Sequence, residues 1–216
     1  MVRRMNRTVF LVDGLNLYHS LEAASRDLGG ASTRWLDIRA LLDSYLPAIG
    51  DGAVTTQIVY FSALPTHLES RKPGIAARHR LYLECLQADG IAPILGRFKP
   101  KFMLCTHCRR LSEHHEEKET DVAISVHLLE VLHRDEADTV AIVTGDTDIA
   151  PALRAARRLF PAKRIWLVLP YKRRNNELAR LADGHCYVRK ERYVQHQWPP
   201  IKRLPSGRIV LRPRGW

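Results

Sequence analysis

Acidic residues are in short supply in this chain. Aspartate and glutamate number 23 against 34 lysines and arginines, which leaves a formal net charge of +11. A basic excess of this size points to an anionic partner, above all nucleic acid. A membrane surface is the competing anion, but no basic amphipathic helix stands out to seek one. Long apolar runs are missing too. No stretch approaches the ~18 apolar residues of a membrane span. The opening MVRRMNRTVFLVDG imitates an export signal, yet its apolar run is only Val9 to Val12 and Asp13 ends it. That argues against export and for a cytoplasmic protein. There is no Gly-x-Ser-x-Gly elbow to support serine catalysis. There is no P-loop and no Gly-x-Gly-x-x-Gly, which disfavours a nucleotide-dependent enzyme. Cysteine is sparse, with four residues, two of them as Cys105-x-x-Cys108. That usage fits reduced thiols or a metal better than a disulfide scaffold.

What is present describes a folded α/β protein. The 216 residues suit one decorated domain with a core large enough to need no disulfides. Thr8–Val12, Val54–Phe61, Ile91–Phe98, Thr139–Thr144 and Arg164–Leu169 read as strands, and His185–Val188 as a last edge strand. Pro93 places the third near an edge. Helical spacing lies between them. Leu17, Leu21, Ala24 and Leu28 form one face, and Asp37 caps a second helix. A third spans Ala76–Ala88. Thr120 is expected to cap a fourth, and short helices follow Asp148 and Asn176. Strict alternation means βαβ units and a parallel sheet.

The sharpest stretch is TVAIVTGDTDIAPA, Thr139 to Ala152. A β-branched apolar run ends at Thr144-Gly145, and Asp146 and Asp148 follow at once. In open α/β sheets ligands bind at the carboxyl ends of strands. Asp13 ends the first strand, and Asp121 opens the helix after residues 99–117. In a parallel sheet these acids meet at one rim. Each has a plain structural explanation, as a turn residue or a cap. Clustered carboxylates, however, protonate or repel unless a cation joins them. Mg²⁺ or Mn²⁺ is the natural candidate, because a hard cation accepts a few carboxylates and keeps several waters.

Three blocks carry a resemblance: VDGLN at Val12–Asn16, EKETDV at Glu117–Val122, and TGDTD at Thr144–Asp148. In order and spacing the chain resembles NYN-domain proteins, the PIN-like nucleases, in their LabA-like bacterial branch. The likeness spans about residues 8 to 188. It implies a PIN-like three-layer fold with a central, mostly parallel sheet flanked by helices. It also implies metal-dependent RNA hydrolysis, with RNA as partner. Asp13, Asp121 and Asp146 would then be metal-site acids, with Asp148 supporting them and Asn16 orienting a phosphate or a metal-bound water. Asn175, Asn176 and Glu177 resemble the polar turn beside such sites. Thr147 departs mildly, standing where Ser is common. The expected organisation is a domain over 1–188, an insertion at 99–117 and a basic extension at 189–216. Two other functions compete: a non-catalytic RNA-binding module on the same fold, and a structure-specific DNA nuclease. Intact Asp13, Asp121 and Asp146 favour catalysis.

Further residues extend the expectation. Arg71, Lys72, Arg78, Lys172, Arg173 and Arg174 fall near strand ends, where they line an RNA path or form a solvated basic surface. Tyr171 and Trp35 are candidates to stack bases. Cys105 and Cys108, with His114, His115 or both, make a candidate structural Zn²⁺ site, and unliganded or redox-active thiols are the alternative. Residues 189–216 carry eight basic residues against Glu191 alone, or +7. Their prolines argue for an extended tail that reaches phosphates. In the rival reading, Trp198, Ile201, Ile209, Leu211 and Trp216 pack the tail on the domain or dock a partner subunit. Self-association is left open.

Overall fold

The computed structural model describes residues 5–104 and 106–216. In chain order the elements are β1 (Asn6–Asp13), α1 (Gly14–Asp27), α2 (Ile38–Asp43), α3 (Leu46–Ile49), β2 (Ala53–Ala63), α4 (Ile75–Ala88), β3 (Ile91–Leu104), β4 (Leu111–Lys118), α5 (Thr120–His133) and β5 (Thr139–Val143). Then come α6 (Ala150–Leu159), β6 (Arg164–Leu169), α7 (Asn176–Leu181), β7 (Gly184–Tyr187), α8 (Lys190–Gln195), β8 (Ile201–Arg203) and β9 (Ile209–Leu211). Seven strands form one sheet in the order β4-β3-β2-β1-β5-β6-β7, and β8 and β9 pair separately. Every neighbour in the large sheet is parallel except β4, which runs antiparallel to β3.

The central strands are buried on both faces, so their apolar runs are continuous rather than alternating. The period-2 geometry still sorts their side chains. Phe10, Val12, Ala141 and Val143 face the layer of α1, α2, α4 and α8. Val9, Leu11, Val140 and Ile142 face α5, α6 and α7. This is the three-layer α/β arrangement expected.

The order has one functional consequence. From β1 the chain adds β2 and β3 on one side, then returns to place β5, β6 and β7 on the other. The β1–β5 junction is therefore the topological switch point, and the crevice at its carboxyl end is where α/β sheets bind ligands. Val12 pairs with Val143 there, so Asp13 and Thr144 leave the sheet side by side.

Several local expectations need correction. Thr120 does not cap α5. The cap position is Glu119, held at φ 84, and the Thr120 hydroxyl instead donates to Glu117. Asp148 does not cap α6. Asp146 accepts the Asp148 N–H at 3.1 Å and opens a single 3-10 turn before that helix. Residues 99–117 lie in an antiparallel hairpin at the edge of the sheet, formed by the end of β3 and most of β4.

The basic extension is the largest difference. It forms α8 and the β8–β9 hairpin and lies on the domain. Pro199 and Pro200 precede β8, Pro205 lies in the turn and Pro213 follows β9, so the prolines bound the hairpin instead of preventing it. Trp198 is buried at 3% exposure, with its ring 5.1 Å from Trp35 and 5.3 Å from Tyr82. Trp216 joins the same cluster, 6.2 Å from Trp35. Trp35 donates to the Pro199 carbonyl and is fully buried, so it is no platform for bases. Of the five apolar residues named for packing, Ile201, Ile209 and Leu211 point outward instead. Tyr193, Leu204 and Val210 take the inward places. Lys202 pairs with Asp89 at 2.7 Å and Arg208 with Glu84 at 2.7 Å.

Candidate active site

Asp13 is the last residue of β1 and the cap of α1. Its carboxylate is buried, at 4% residue exposure, and both oxygens are engaged. Oδ1 accepts the Asn16 N–H at 2.9 Å and Oδ2 accepts the Thr144 hydroxyl at 2.7 Å. Gly14 follows because nothing larger fits: a Cβ there would meet the Phe61 carbonyl and the Tyr60 ring. Burial raises the Asp13 pKa. The bonds from Asn16 and Thr144 work against that, and the charges of Asp146 and Glu117 add to it.

The segment after β5 is fixed from three sides. Thr144 Oγ1 accepts the Asp146 N–H at 3.1 Å, and Asn16 Oδ1 accepts the Gly145 N–H at 3.1 Å. Asn175 Nδ2 donates to the Gly145 carbonyl at 3.1 Å. The Asn175 Oδ1 meanwhile accepts the Glu177 and Leu178 N–H groups at the start of α7. Gly145 is required, since a Cβ would collide with the Arg173 backbone. The Asn16 carbonyl oxygen is thus used within the protein. What the structure gives Asn16 is a positioning task that ties the ends of β1 and β5 together.

Asp121, half-buried in the first turn of α5, completes the group. Burial first, then the charges of Asp13, Asp146, Glu117 and Asp148, push its pKa up to about 6. Five carboxylates therefore feel one another at this rim. Among the described residues, none of Asp13, Asp121, Asp146 and Asp148 forms an ion pair with a lysine or arginine. Glu117 was missed as a site acid, although it opens the quoted EKETDV block. The signal was a carboxylate four residues before Asp121, which the left-handed turn at Glu119 folds back to the same rim.

The donor set fits a hard divalent cation: all oxygen, negative in excess, and short of cationic partners. The carboxylates are not closed into a cage, and among the described residues no three His, Cys, Asp or Glu side chains are set for a metal. A cation that keeps several waters does not require such a cage. Zinc at the insertion finds no such support. Cys105 lies outside the described residues and Cys108 is exposed. His114 contacts the Ser112 hydroxyl at 3.1 Å, and His115 stacks on His67, with centroids 4.3 Å apart and ring planes at 12°.

Beside the acids opens a cleft of about 830 Å³, lined by Gly14 and Glu117 at the rim. Lys72, Lys172 and Arg173 line it, as does Arg78. Arg71 is exposed on the same loop but does not line the cleft. Arg174 lies over the Tyr187 ring at 4.6 Å, and Asn176 is exposed at the first residue of α7. Tyr171 donates to Asp27 at 2.8 Å, and Asp27 also pairs with Lys172.

The model of the NYN domain family matches residues 7–189. A curated relative from Pseudomonas putida, 6-hydroxy-3-succinoylpyridine 3-monooxygenase HspA, is 26% identical over 243 aligned residues, which cover 97% of this chain and 75% of that protein. A solved structure of a protein of unknown function from Vibrio parahaemolyticus superposes with a TM-score of 0.56 at 16% identity, covering 86% of this chain and 94% of the other. That likeness speaks to the fold alone.

Proposed function

The chain belongs to the NYN domain family, and from that premise we propose that it is a metal-dependent ribonuclease acting in the cytoplasm. NYN domains are typically ribonucleases, and PIN-like nucleases generally use Mg²⁺ or Mn²⁺. The observation that carries the reading is the gathering of Asp13, Asp121, Asp146, Asp148 and Glu117 without a cationic partner among the described residues. Asp13, Asp121 and Asp146 would hold the ion, with Asp148 and Glu117 beside them. Such an ion, when bound, supplies charge neutralisation at a phosphoryl oxygen and lowers the pKa of water.

The chain's own residues do the rest. Thr144 and Asn16 hold the Asp13 carboxylate in one orientation. Asn16 and Asn175 clamp Gly145 from both sides, which fixes where Asp146 points. Lys72 and Arg173 face the cleft as phosphate-binding cations. Catalysis needs this pre-set geometry, because groups positioned before substrate arrives cost no reorganisation at the moment of reaction.

The test is end-labelled single-stranded RNA, duplex RNA and single-stranded DNA, each with Mg²⁺ or Mn²⁺, with wild type beside Asp146→Asn. Cleavage of RNA that EDTA and the substitution both abolish is the expected result. Full activity in a folded Asp146→Asn protein refutes the assignment. One observation favours a second reading. The cleft is partly aromatic, and HspA is named for a small hydroxypyridine acid, so binding of a small aromatic acid is the alternative.

A further inference from the structure

The cleft has a chemistry that the acid rim does not explain. Its volume of about 830 Å³ falls within the range of ligand pockets. One wall is a series of rings from three separate elements. Phe98 of β3 lies 4.4 Å from His67, and His67 lies 4.3 Å from His115 of β4. Tyr18 of α1 and Trp216 of the C-terminal extension also line the space. Six lysines and arginines line it against two glutamates. Glu22 is already paired with Arg34, and Glu117 belongs to the acid rim. Lys72 and Arg173 have no acid partner among the described residues. Aromatic walls with unpaired cations beside them suit a planar ring joined to a negatively charged group.

The cleft also adjoins the acids. Gly14 follows Asp13 directly, Glu117 faces both spaces, and the Arg173 backbone packs against Gly145. A group bound here would sit next to whatever the carboxylates act on.

We propose that this cleft holds one unpaired nucleotide, with the base against the Tyr18 and Phe98–His67–His115 side chains and the phosphate toward Lys72 and Arg173. The occupant is either the nucleotide of an RNA strand next to the scissile bond or a free mononucleotide, and the recognising chemistry is the same. Base-on-ring stacking tolerates any base, so the cleft selects for an unpaired nucleotide and not for sequence. A base inside a duplex is not available to it. The strand-bound form rests on the ribonuclease reading; nucleotide binding itself does not.

The experiment uses the full chain in EDTA, where cleavage is off, and reads binding by calorimetry and by tryptophan fluorescence. The probes are adenosine 5′-monophosphate, cytidine 5′-monophosphate, adenosine, ribose 5-phosphate, a short single-stranded RNA, its duplex, and pyridine-3-carboxylate. Both mononucleotides are expected to saturate one site per chain. Removing the base or the phosphate should each weaken binding roughly 10-fold or more. Tyr18→Ala should weaken mononucleotide and nucleoside alike. Lys72→Ala should weaken only the phosphate-bearing probes. Both side chains are exposed enough to be replaced without unfolding. Single strands that bind more tightly than mononucleotide, with duplex excluded, identify a strand as the source. Equal affinities identify a free mononucleotide. Absence of mononucleotide binding, binding unchanged by both substitutions, or tighter binding of pyridine-3-carboxylate overturns the proposal. Asp146→Asn should still bind mononucleotide; nucleotide binding by wild type that cleaves no RNA with Mg²⁺ or Mn²⁺ sinks the ribonuclease reading alone. Cleavage without nucleotide binding sinks the cleft alone.

Discussion

Asp146→Asn should make the metal-free protein more stable, not less. Most substitutions of a conformationally fixed residue destabilise by ~1 kcal/mol. Here the opposite follows from the charges. In the folded protein the Asp121 pKa stands at about 6 against an ordinary 3.8, through burial and four neighbouring carboxylates. A raised carboxyl pKa means that stability is complete below the unfolded value and is lost as pH rises through the folded one. At pH 7 the penalty is fully present. The rise from 3.8 to about 6 corresponds to about 3 kcal/mol, or about half that once solvent screening at a half-buried site is allowed for. Asp146 is one of the larger charged contributors, and its neutralisation should return on the order of 1 kcal/mol. Asn keeps an oxygen for the Asp148 N–H, so the local turn survives. For a chain of 216 residues the expected gain is roughly 2–4 °C in Tm in EDTA at pH 7. Mn²⁺ should then reverse the order. A ligand at 100 times its Kd stabilises by about 2.7 kcal/mol. Wild type should gain most of that, and the variant a small fraction. Thermal unfolding of both proteins, with EDTA and with Mn²⁺, from pH 4 to 8, checks it. The stability difference should open between pH 4 and 6 and stay constant above. A variant no more stable than wild type in EDTA, together with an equal Mn²⁺ shift for both, refutes the shared-charge reasoning.

Three other outcomes are expected. His79, whose Nε2 lies 3.1 Å from the Ser62 hydroxyl, has its pKa lowered to about 4 by burial; stability held by its neutral form is lost as pH falls from 6.5 toward 4, and His79→Gln should reduce that acid-side loss by about 2 kcal/mol in pH-dependent unfolding. Trp198→Ala should cost about 3–5 kcal/mol, since it empties the space between Trp35 and Tyr82; a Tm within 2 °C of wild type would mean that the extension does not pack as described. Asn16→Ala should lower kcat more than it raises KM, because it frees the Gly145 turn without removing a cleft cation; an unchanged kcat would make its bond to Gly145 incidental.

Much of the rim was legible in the sequence for a local reason. A buried parallel strand needs an apolar run, and the run must end where a polar turn begins. Val9–Val12 before Asp13 and Val140–Val143 before Thr144 both say so within a few residues. Parallel pairing then brings the two ends together, as the Val12–Val143 register does. Glu117 and Asn175 were harder, because their places depend on a left-handed turn at Glu119 and on a bond across to Gly145. Neither leaves a periodic trace. Trp35 was misread because an aromatic residue in a loop looks alike whether it faces solvent or a partner 163 positions away in Trp198.

The extension shows why charge was the weaker guide. A count of +7 over residues 189–216 treats each cation as available. Lys202 is instead spent on Asp89 and Arg208 on Glu84, while Lys190 donates to the Asp27 carbonyl and Arg192 to Ser44. Half of the eight cations therefore bind the domain. The acids at the rim are the inverse case. They are a minority in a basic chain, yet Asp13, Asp121, Asp146 and Asp148 have no cationic side chain paired to them among the described residues. Phosphate binding and metal binding both depend on charges left unpaired after folding, and net charge does not report those. By that measure the +7 of residues 189–216 overstates the extension, while Lys72 and Arg173 keep their charges in a cleft that shares Glu117 with the acid rim, where the reading proposed above needs them.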